Sequence, residues 1–420
     1  MEKSHKPIEF HGFIRSGIGI NNKGGEMETF HSPTMLPSRW RLANEDDNQV
    51  EIILVNNWLN PERETDKTWF RTHVRFHLRS GGNNMVSETQ PRIREAYAQT
   101  GNVLKSAPDV KFWAGVRFYR RHDVHVVDYF YLNNSGFGGG FEDLDIGFAK
   151  LHLALIAGST DDAVVDGNSD PNFVSPDHGR PLKGGLDMRI SDLKVPGGTG
   201  IFYLWLVRNS PAGGGVVVEG RPQPTEPDAT NGVAVGFFHT RGDVLGGFNK
   251  VSVNWGIGPA STFDTFRVSN VEQDAWQLRV TETLQIQPSP KISMMAAAIF
   301  EYLDNGLDES DVAATSFGKR MWMTTGLRST YYFTKHVGLA TEAAVEHIDF
   351  SAGGNERSGQ LYKLSVVPTL ATDTSFWGRP QIRMFATAWF WSDGIKNDFA
   401  SQHADDKYAI NFGVHAESWW

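Results

Sequence analysis

Hydrophobic and polar positions alternate along most of the chain. Between Ile8 and Ile20 the even positions are mostly apolar, whereas the odd positions from Glu9 to Arg15 are mostly polar. The same period of two residues recurs in the segments 68–80, 109–121, 276–286, 380–391 and 408–420. Because successive side chains of a β-strand point to opposite faces, each segment predicts a strand with one apolar and one polar face.

Turn-forming stretches rich in glycine, proline and asparagine separate these segments. Counting alternating segments of about ten residues gives about eighteen strands, the signature of a transmembrane β-barrel. The sequence shows no helical pattern of convincing length, no coiled-coil heptads and no interdomain linker. We therefore expect an all-β protein in which residues 8–420 form a single barrel domain. Residues 1–7 are expected to be a flexible or tag-like N-terminal segment.

A large soluble β-sandwich or solenoid is the alternative fold, because its strands alternate as well. The C-terminal segment favours the membrane barrel. Tyr408, Ile410, Phe412 and the final Trp420 share one face, and outer-membrane barrels use a terminal aromatic residue as an assembly signal. Residues 1–6 lack the apolar region of a signal peptide, as expected of a mature chain with an added start Met. We expect a multi-pass protein of the outer membrane of a Gram-negative bacterium.

Composition narrows the function further. The chain has 420 residues, of which 40% are hydrophobic and 12% aromatic, and its formal net charge is −9. The negative charge argues against a nucleic-acid partner. Cysteine is absent, which excludes disulfides, thiolate metal sites and a cysteine nucleophile. No apolar run approaches the length of about 18 residues that a transmembrane helix needs.

If the apolar faces contact lipid, the opposite faces line the lumen. We say that a residue has lumen parity when the alternation assigns its side chain to the lumen face. Most such residues are polar, but Phe13, Phe248, Trp377 and Trp419 are aromatic and lie beside charged residues. An aromatic ring in channel water is costly unless a ligand stacks on it. Sugars present apolar C–H faces ringed by hydroxyls, so such rings predict a sugar path. The alternative is that these rings pack against an inward loop or form membrane-interface girdles.

Several segments resemble landmarks of the maltoporin family of outer-membrane sugar porins. The opening strand Phe10–Gly19 and the segment Trp113–Asp128 carry the strongest resemblance. Gly246–Lys250, Trp377–Thr387 and Glu417–Trp420 are also similar to family landmarks, in the family's order. The resemblance extends from about residue 8 to residue 420, and the long loops between 158 and 240 are not recognisable.

The resemblance implies an 18-stranded antiparallel barrel with an inward-folded constriction loop, assembled as a homotrimer in outer-membrane lipid and lipopolysaccharide. It implies facilitated diffusion of oligosaccharides, such as maltose and linear maltodextrins, along aromatic rings flanked by charged residues. No cofactor, metal site or catalytic residue is implied. The implied substrate-binding residues are Phe13, Phe130, Phe248, Trp377, Trp419, Arg15, Arg41, Glu51, Arg94, Arg121, Asp123, His125 and Asp128.

The chain departs from the family pattern at a few positions. Gln49 occupies the place of an aromatic residue, and the tryptophan that maltoporins lend to a neighbouring pore falls near Met85 or Val86. A later Trp and Asp of the inward loop appear as Leu132 and Asn133. The cysteine pair found in some members near the positions of Thr29 and Asp46 is missing. These changes affect the channel entrance, so the identity of the sugar stays open.

Two other functions remain as alternatives. The first is a channel for anionic or modified oligosaccharides, because rings of arginine favour anions in pores. The arginines of lumen parity are Arg71, Arg75, Arg79, Arg92, Arg94, Arg117 and Arg121. The second, less favoured alternative is an outer-membrane enzyme that uses His122, Asp123, His125 and Asp128 as an acid–base or metal cluster.

Overall fold

In the computed structural model the chain forms one closed antiparallel barrel. The structure describes residues 7–35, 38–60, 64, 67–81, 91–159, 182–210, 217–218, 221–222, 229–265, 273–306, 317–352, 355–398, 402–403 and 405–420. The strands are β1 Ile8–Asn21, β2 Asn48–Leu59, β3 Trp69–Ser80, β4 Arg92–Gly101, β5 Lys111–Arg117, β6 His122–Val124, β7 Tyr129–Leu132, β8 Gly136–Asp145, β9 Lys150–Ser159, β10 Leu182–Val195, β11 Gly198–Ser210, β12 Val217–Val218, β13 Arg221–Pro222, β14 Thr230–Val244, β15 Gly247–Ile257, β16 Trp276–Ser289, β17 Ile292–Asp304, β18 Phe317–Tyr332, β19 Val337–Ala352, β20 Asn355–Ala371, β21 Gln381–Trp391 and β22 Tyr408–Trp419.

Eighteen of these strands make the barrel, and β6–β7 and β12–β13 are separate two-stranded sheets. The barrel closes because β1 pairs antiparallel with both β2 and β22. Short 3-10 helices lie at His125–Val127, Gly258–Thr262 and Asp393–Asp398. No helix in the described part of the chain is long and apolar enough to cross a membrane. The predicted eighteen-stranded antiparallel barrel is confirmed.

The alternation of side chains also holds in three dimensions. In β1, Phe10 and Ile18 are 54% and 57% exposed on the outer face, whereas Arg15 on the inner face is 7% exposed. The last strand shows the same division, since Phe412 is on the outer face and Glu417 is buried inside. The apolar positions therefore form the lipid-facing surface, and the polar positions face the lumen, as the sequence predicts.

The two ends of the barrel have different connections. At one end, two-residue turns at 196–197, 245–246 and 290–291 join successive strands. At the other end, long connections such as 22–47 and 118–135 join them. Because outer-membrane barrels have short periplasmic turns and longer extracellular loops, the long connections mark the extracellular end.

Three long connections fold into the lumen, whereas the sequence analysis anticipates one. The first, 22–47, reaches the far wall, where Trp40 Nε1 donates to Thr324 Oγ1 at 2.8 Å. The second, 118–135, contains the β6–β7 hairpin. The third begins at residue 258 and meets the second, because Asn133 N donates to Phe263 O at 2.8 Å. The lumen is therefore much narrower than the barrel.

A large apolar cluster fills the part of the lumen opposite β1–β4. Wall residues such as Trp205, Trp322 and Trp389 are fully buried in it, together with Trp40 and Val126 of the inward connections. Many lumen-facing wall residues of this half are polar, such as Arg279, Glu301 and Glu342, and they are buried among the apolar ones. The wall tryptophans have lumen parity but contact protein rather than channel water, so burial removes the cost of exposing them.

A β-bulge in β4 changes the facing of its side chains. The pairing with β3 shifts between Arg75 opposite Glu95 and Phe76 opposite Ile93, which leaves Arg94 as the additional residue. A bulge redirects the side chains around it. Arg94 lines the interior cavity described below, as its parity predicts, and the bulge turns Glu95, its neighbour in sequence, to the lumen side as well.

Strand β5 is shorter than its sequence pattern suggests. Alternation through 109–121 assigns Phe118 to the lipid face, but the strand ends at Arg117. Beyond that point the chain turns inward, and Phe118 lines the same interior cavity. The assignment of Phe118 to the lipid face is therefore wrong, because side chains alternate between two faces only while the backbone is part of a strand.

Candidate functional site

An interior cavity of about 610 Å³ runs along the wall formed by β22, β1, β2, β3 and β4. The inward connections 22–47 and 118–135 close its other side. Eleven of the thirteen predicted binding residues line it, which are Phe13, Arg15, Arg41, Glu51, Arg94, Arg121, Asp123, His125, Asp128, Phe130 and Trp419. Its remaining lining residues are Gly12, Arg39, Asp47, Gln49, Ile53, Arg75, His77, Arg79 and Phe118.

The other two predicted residues lie outside this lining. The Trp377 ring is 4.9 Å from the His125 ring, so it is adjacent to the cavity through a residue that lines it. Phe248 is partly buried and packs against the apolar cluster on the opposite side of the lumen. The structure therefore brings Trp377 next to the predicted site and separates Phe248 from it.

Strand pairing positions the first aromatic rings of the cavity. Phe13 on β1 is opposite Trp419 on β22 and opposite Glu51 on β2. Because these positions are directly cross-strand and share the lumen face, closure of the barrel sets the rings beside a carboxylate. The Arg379 guanidinium lies 4.1 Å from the centroid of the Trp419 ring, a distance at which cation–π attraction holds the ring in place.

The second pair of rings belongs to the connection 118–135. The Arg121 guanidinium lies 3.7 Å from the Phe118 ring centroid and 4.7 Å from that of Phe130. Both distances are within the range of cation–π attraction. Arg121, which directly precedes the β6–β7 hairpin, is thereby held between two rings that face the cavity.

One buried ionic network joins the barrel wall to the connection 22–47. Arg15 Nη1 donates to Glu45 at 2.5 Å, and Arg15 also pairs with Asp47. Arg41 Nε donates to Glu45 at 3.0 Å, and Arg41 Nη2 donates to Glu417 at 3.0 Å. Arg379 and Arg383 donate to the same Glu417 carboxylate. The network offsets most of the charge of these arginines and anchors the connection inside the barrel.

A second network lies on β2, β3 and β4. Arg75 donates to Glu51 at 2.9 Å and to Glu95 at 3.0 Å. Arg79 Nε donates to Asp47 at 2.6 Å. Sequence parity missed Glu95, because the bulge that turns it inward has no signature in the alternation. These pairs offset much of the positive charge that the sequence assigns to the lumen.

Several charged groups of the cavity have no such partner. Within the described residues, Arg39, Arg94 and Arg121 form no ion pair, and the Nε atoms of Arg39 and Arg94 are buried without a hydrogen-bond partner. Asp123 and Asp128 likewise accept no side-chain hydrogen bond from that part of the chain. The unpaired groups are donors and acceptors available to a polar ligand.

Burial changes the proton affinity of groups in the connection 118–135. Burial, with help from Arg75, lowers the pKa of Arg121 to about 10. Burial raises the pKa of Asp123. Burial and the Arg41 guanidinium hold the pKa of His125 well below its usual range. At neutral pH Arg121 is still charged, and His125 is a neutral imidazole that can donate and accept hydrogen bonds.

A second cavity of about 180 Å³ lies toward the extracellular end. It is lined by residues such as Thr34, Asn133 and Arg279, and it shares Asp128 and Phe130 with the larger cavity. Asp128 and Phe130 therefore lie at the boundary between the two cavities.

The predicted His and Asp cluster does not converge on one point. His122 stacks on Phe238 with ring centroids 4.6 Å apart, whereas His125 lies against Trp377 and Trp419. In the described part of the chain no three His, Asp or Glu side chains are arranged to hold a metal ion.

The residues at which the chain departs from the family pattern lie at different places in the lumen. Gln49 lines the large cavity and donates to Glu51 at 3.1 Å, so a hydrogen-bonding amide replaces a ring there. Leu132 is buried in the apolar cluster, and Asn133 lines the smaller cavity. Met85 and Val86 lie outside the described residues.

A closed barrel with an apolar outer face, inward connections and a polar interior cavity defines a channel of the outer membrane. The chain matches the model of the LamB porin family over residues 8–420. The protein belongs to this family, which confirms the resemblance, and it is a porin of the Gram-negative outer membrane.

Solved structures of other outer-membrane proteins are similar over nearly the whole chain. The trimer form of in-vitro folded OmpT from Vibrio cholerae has 10% sequence identity and a TM-score of 0.41, and the match covers 98% of this chain and 99% of that one. The high-pH structure of OprB from Pseudomonas putida has 12% identity and a TM-score of 0.48, with 99% and 94% covered.

Proposed function

We propose that the protein is a channel for facilitated diffusion of oligosaccharides, with maltodextrin-like linear sugars as its simplest substrates. The observation that carries the proposal is the common lining of one cavity by Phe13, Phe130 and Trp419 together with hydrogen-bonding groups. A volume of about 610 Å³ lies within the range of small-molecule binding sites. In this proposal the sugar passes unchanged, without a cofactor or a catalytic residue.

The lining combines the two properties that a sugar requires. Aromatic rings stack on the apolar C–H faces of a sugar ring, and the charged and amide groups around them bond to the hydroxyls. Phe13 and Trp419 are opposite each other on neighbouring strands, and Gln49 and Glu51 lie on the next strand. A sugar on the rings would therefore lie beside polar groups of β2.

The proposal predicts that Trp419→Ala weakens the block of ion current by maltooligosaccharides by about 1–3 kcal/mol, on the scale of base–aromatic stacking. The reason is that the variant removes a ring that lines the cavity. Ion conductance itself should persist or rise slightly, because the passage widens. Current block measured in planar bilayers across a series of sugar lengths tests this.

Trp58→Ala is the matched control, because Trp58 is 65% exposed on the outer face of β2. It removes the same side chain without changing the lumen, so sugar block should equal that of the parent. Equal block in Trp419→Ala and the parent would assign the ring a structural role and contradict the proposed function.

We also propose a homotrimer embedded in outer-membrane lipid and lipopolysaccharide. A closed barrel leaves no unpaired edge strand, so it is stable in an apolar medium, and outward side chains such as Ile8 and Phe10 are exposed to it. Sedimentation of the detergent-purified protein should give three times the chain mass. A detergent-solubilised species with the mass of one chain would contradict the trimer.

A further inference from the structure

The cavity has a basic corner beside the bulge in β4, which we define as Arg94 and His77. Arg94 is the additional residue of the bulge, and His77 is opposite Arg92 on the neighbouring strand. Both side chains line the large cavity. Arg94 has lumen parity from the alternation alone, and the bulge turns Glu95, the next residue, to the same side of the sheet.

The corner is not neutralised by its neighbours. Arg75 and Arg79 pair with Glu51 and Asp47, but Arg94 forms no ion pair within the described residues. Its Nε atom is buried without a partner. His77 is 5% exposed and makes no side-chain hydrogen bond in that part of the chain. Unsatisfied buried donors are costly, and a ligand that accepts from them removes that cost.

The charge around the corner is positive. The cavity lining contains seven arginines and four carboxylates, and Glu45, Glu95 and Glu417 pair with three of these arginines from outside the lining. Glu51 already accepts from Arg75 and Gln49. Arg75 and Arg79 lie on the neighbouring strand β3, and Arg92 lies two residues before Arg94 on β4. A solute anion is therefore attracted to this corner.

The corner is also in line with the aromatic rings. Phe13 is opposite Glu51, and Glu51 is opposite His77, across three neighbouring strands. Two strand spacings separate Phe13 from His77, about 10 Å. A short oligosaccharide can therefore stack on the rings of β1 and β22 and reach the corner with a neighbouring sugar unit.

We propose that Arg94 and His77 form a subsite for the carboxylate of an acidic sugar unit, such as a uronic acid, within the transported oligosaccharide. This inference rests on the proposed function and specifies its substrate class. A guanidinium offers paired N–H donors that match the two oxygens of a carboxylate, and the imidazole adds a further donor.

The test compares trigalacturonate with its fully methyl-esterified form, which has the same backbone without the charges. Current block is measured for the parent, Arg94→Gln and Arg71→Gln. Arg71 is the matched control because it faces the lumen from β3 and stacks on Trp69, but it does not line the cavity. Both variants remove one positive charge from the same wall.

We expect the parent to bind the acid more tightly than the ester at 0.1 M salt. Arg94→Gln should weaken acid binding by about tenfold, the effect of losing a hydrogen bond to a charged group, and weaken ester binding much less, because the ester loses only a hydrogen bond between a hydroxyl or carbonyl and Arg94. Arg94→Lys should recover part of the lost acid binding, because lysine keeps the positive charge but lacks the paired N–H donors of the guanidinium. Raising salt to 1 M shortens the screening length from about 10 Å to about 3 Å and should weaken only the acid.

The outcomes separate this inference from the function on which it rests. If acid and ester block the parent equally, the subsite is refuted while the sugar channel stands. If Arg71→Gln reduces acid binding as much as Arg94→Gln, the attraction is general lumen charge rather than a subsite. If neither trisaccharide nor any maltooligosaccharide blocks the current, both proposals fail. An unfolding temperature equal to that of the parent in SDS electrophoresis shows that each variant is folded.

Discussion

Glu417→Ala is expected to lower the free energy of unfolding by about 3–5 kcal/mol, the usual cost of leaving buried charges without their partner. The Glu417 carboxylate is 2% exposed and accepts from Arg41, Arg379 and Arg383. Removing it leaves three buried guanidiniums without their shared counter-charge. The measurement is the temperature at which the folded species disappears in SDS electrophoresis.

The consequence extends beyond stability, because Arg379 lies on the Trp419 ring and Arg41 belongs to the inward connection 22–47. We therefore expect weaker sugar block in this variant as well. Asp393→Asn is the control, because Asp393 and Lys407 form an ion pair with both side chains largely exposed. It should unfold with the parent. A Glu417→Ala protein as stable as the parent would show that the carboxylate does not hold the network together.

Trp40→Ala is expected to destabilise the protein by about 3–5 kcal/mol, as truncation of a large buried aromatic side chain does. Trp40 is fully buried in the lumen and contacts the far wall through Thr324. Its loss leaves a cavity between the connection 22–47 and that wall. We also expect higher ion conductance, because the connection that narrows the lumen is held less firmly.

Trp40→Phe is the milder variant. It keeps one ring in the apolar cluster but loses the bond to Thr324 and the buried volume of the second ring, so the destabilisation should be smaller than in Trp40→Ala. Single-channel conductance and the unfolding temperature of both variants are the measurements. Parent-like values for Trp40→Ala would mean that this connection does not pack in the lumen.

The alternation of apolar and polar residues determined the barrel and the facing of most strands. Side chains of a strand have only two directions, so a period of two residues assigns them without knowledge of distant contacts. For this reason Phe13, Arg15 and Trp419 could be assigned to the lumen from the sequence, and Ile18 to the lipid. Residues of the loop hairpin, such as Arg121 and Phe130, needed the family resemblance, because loops carry no such period.

Only the tertiary structure decided which lumen residues meet channel water. Phe248 and Trp322 have lumen parity, but the inward connections cover that half of the wall with an apolar cluster. The contact between Trp40 and Thr324 joins positions 284 residues apart in the sequence, and local alternation contains no information about it. The bulge at Arg94 and the end of β5 before Phe118 were likewise invisible, because each breaks the two-residue period at one point. The sequence therefore determined the wall of the channel, and long-range packing decided the shape and charge of the path inside it.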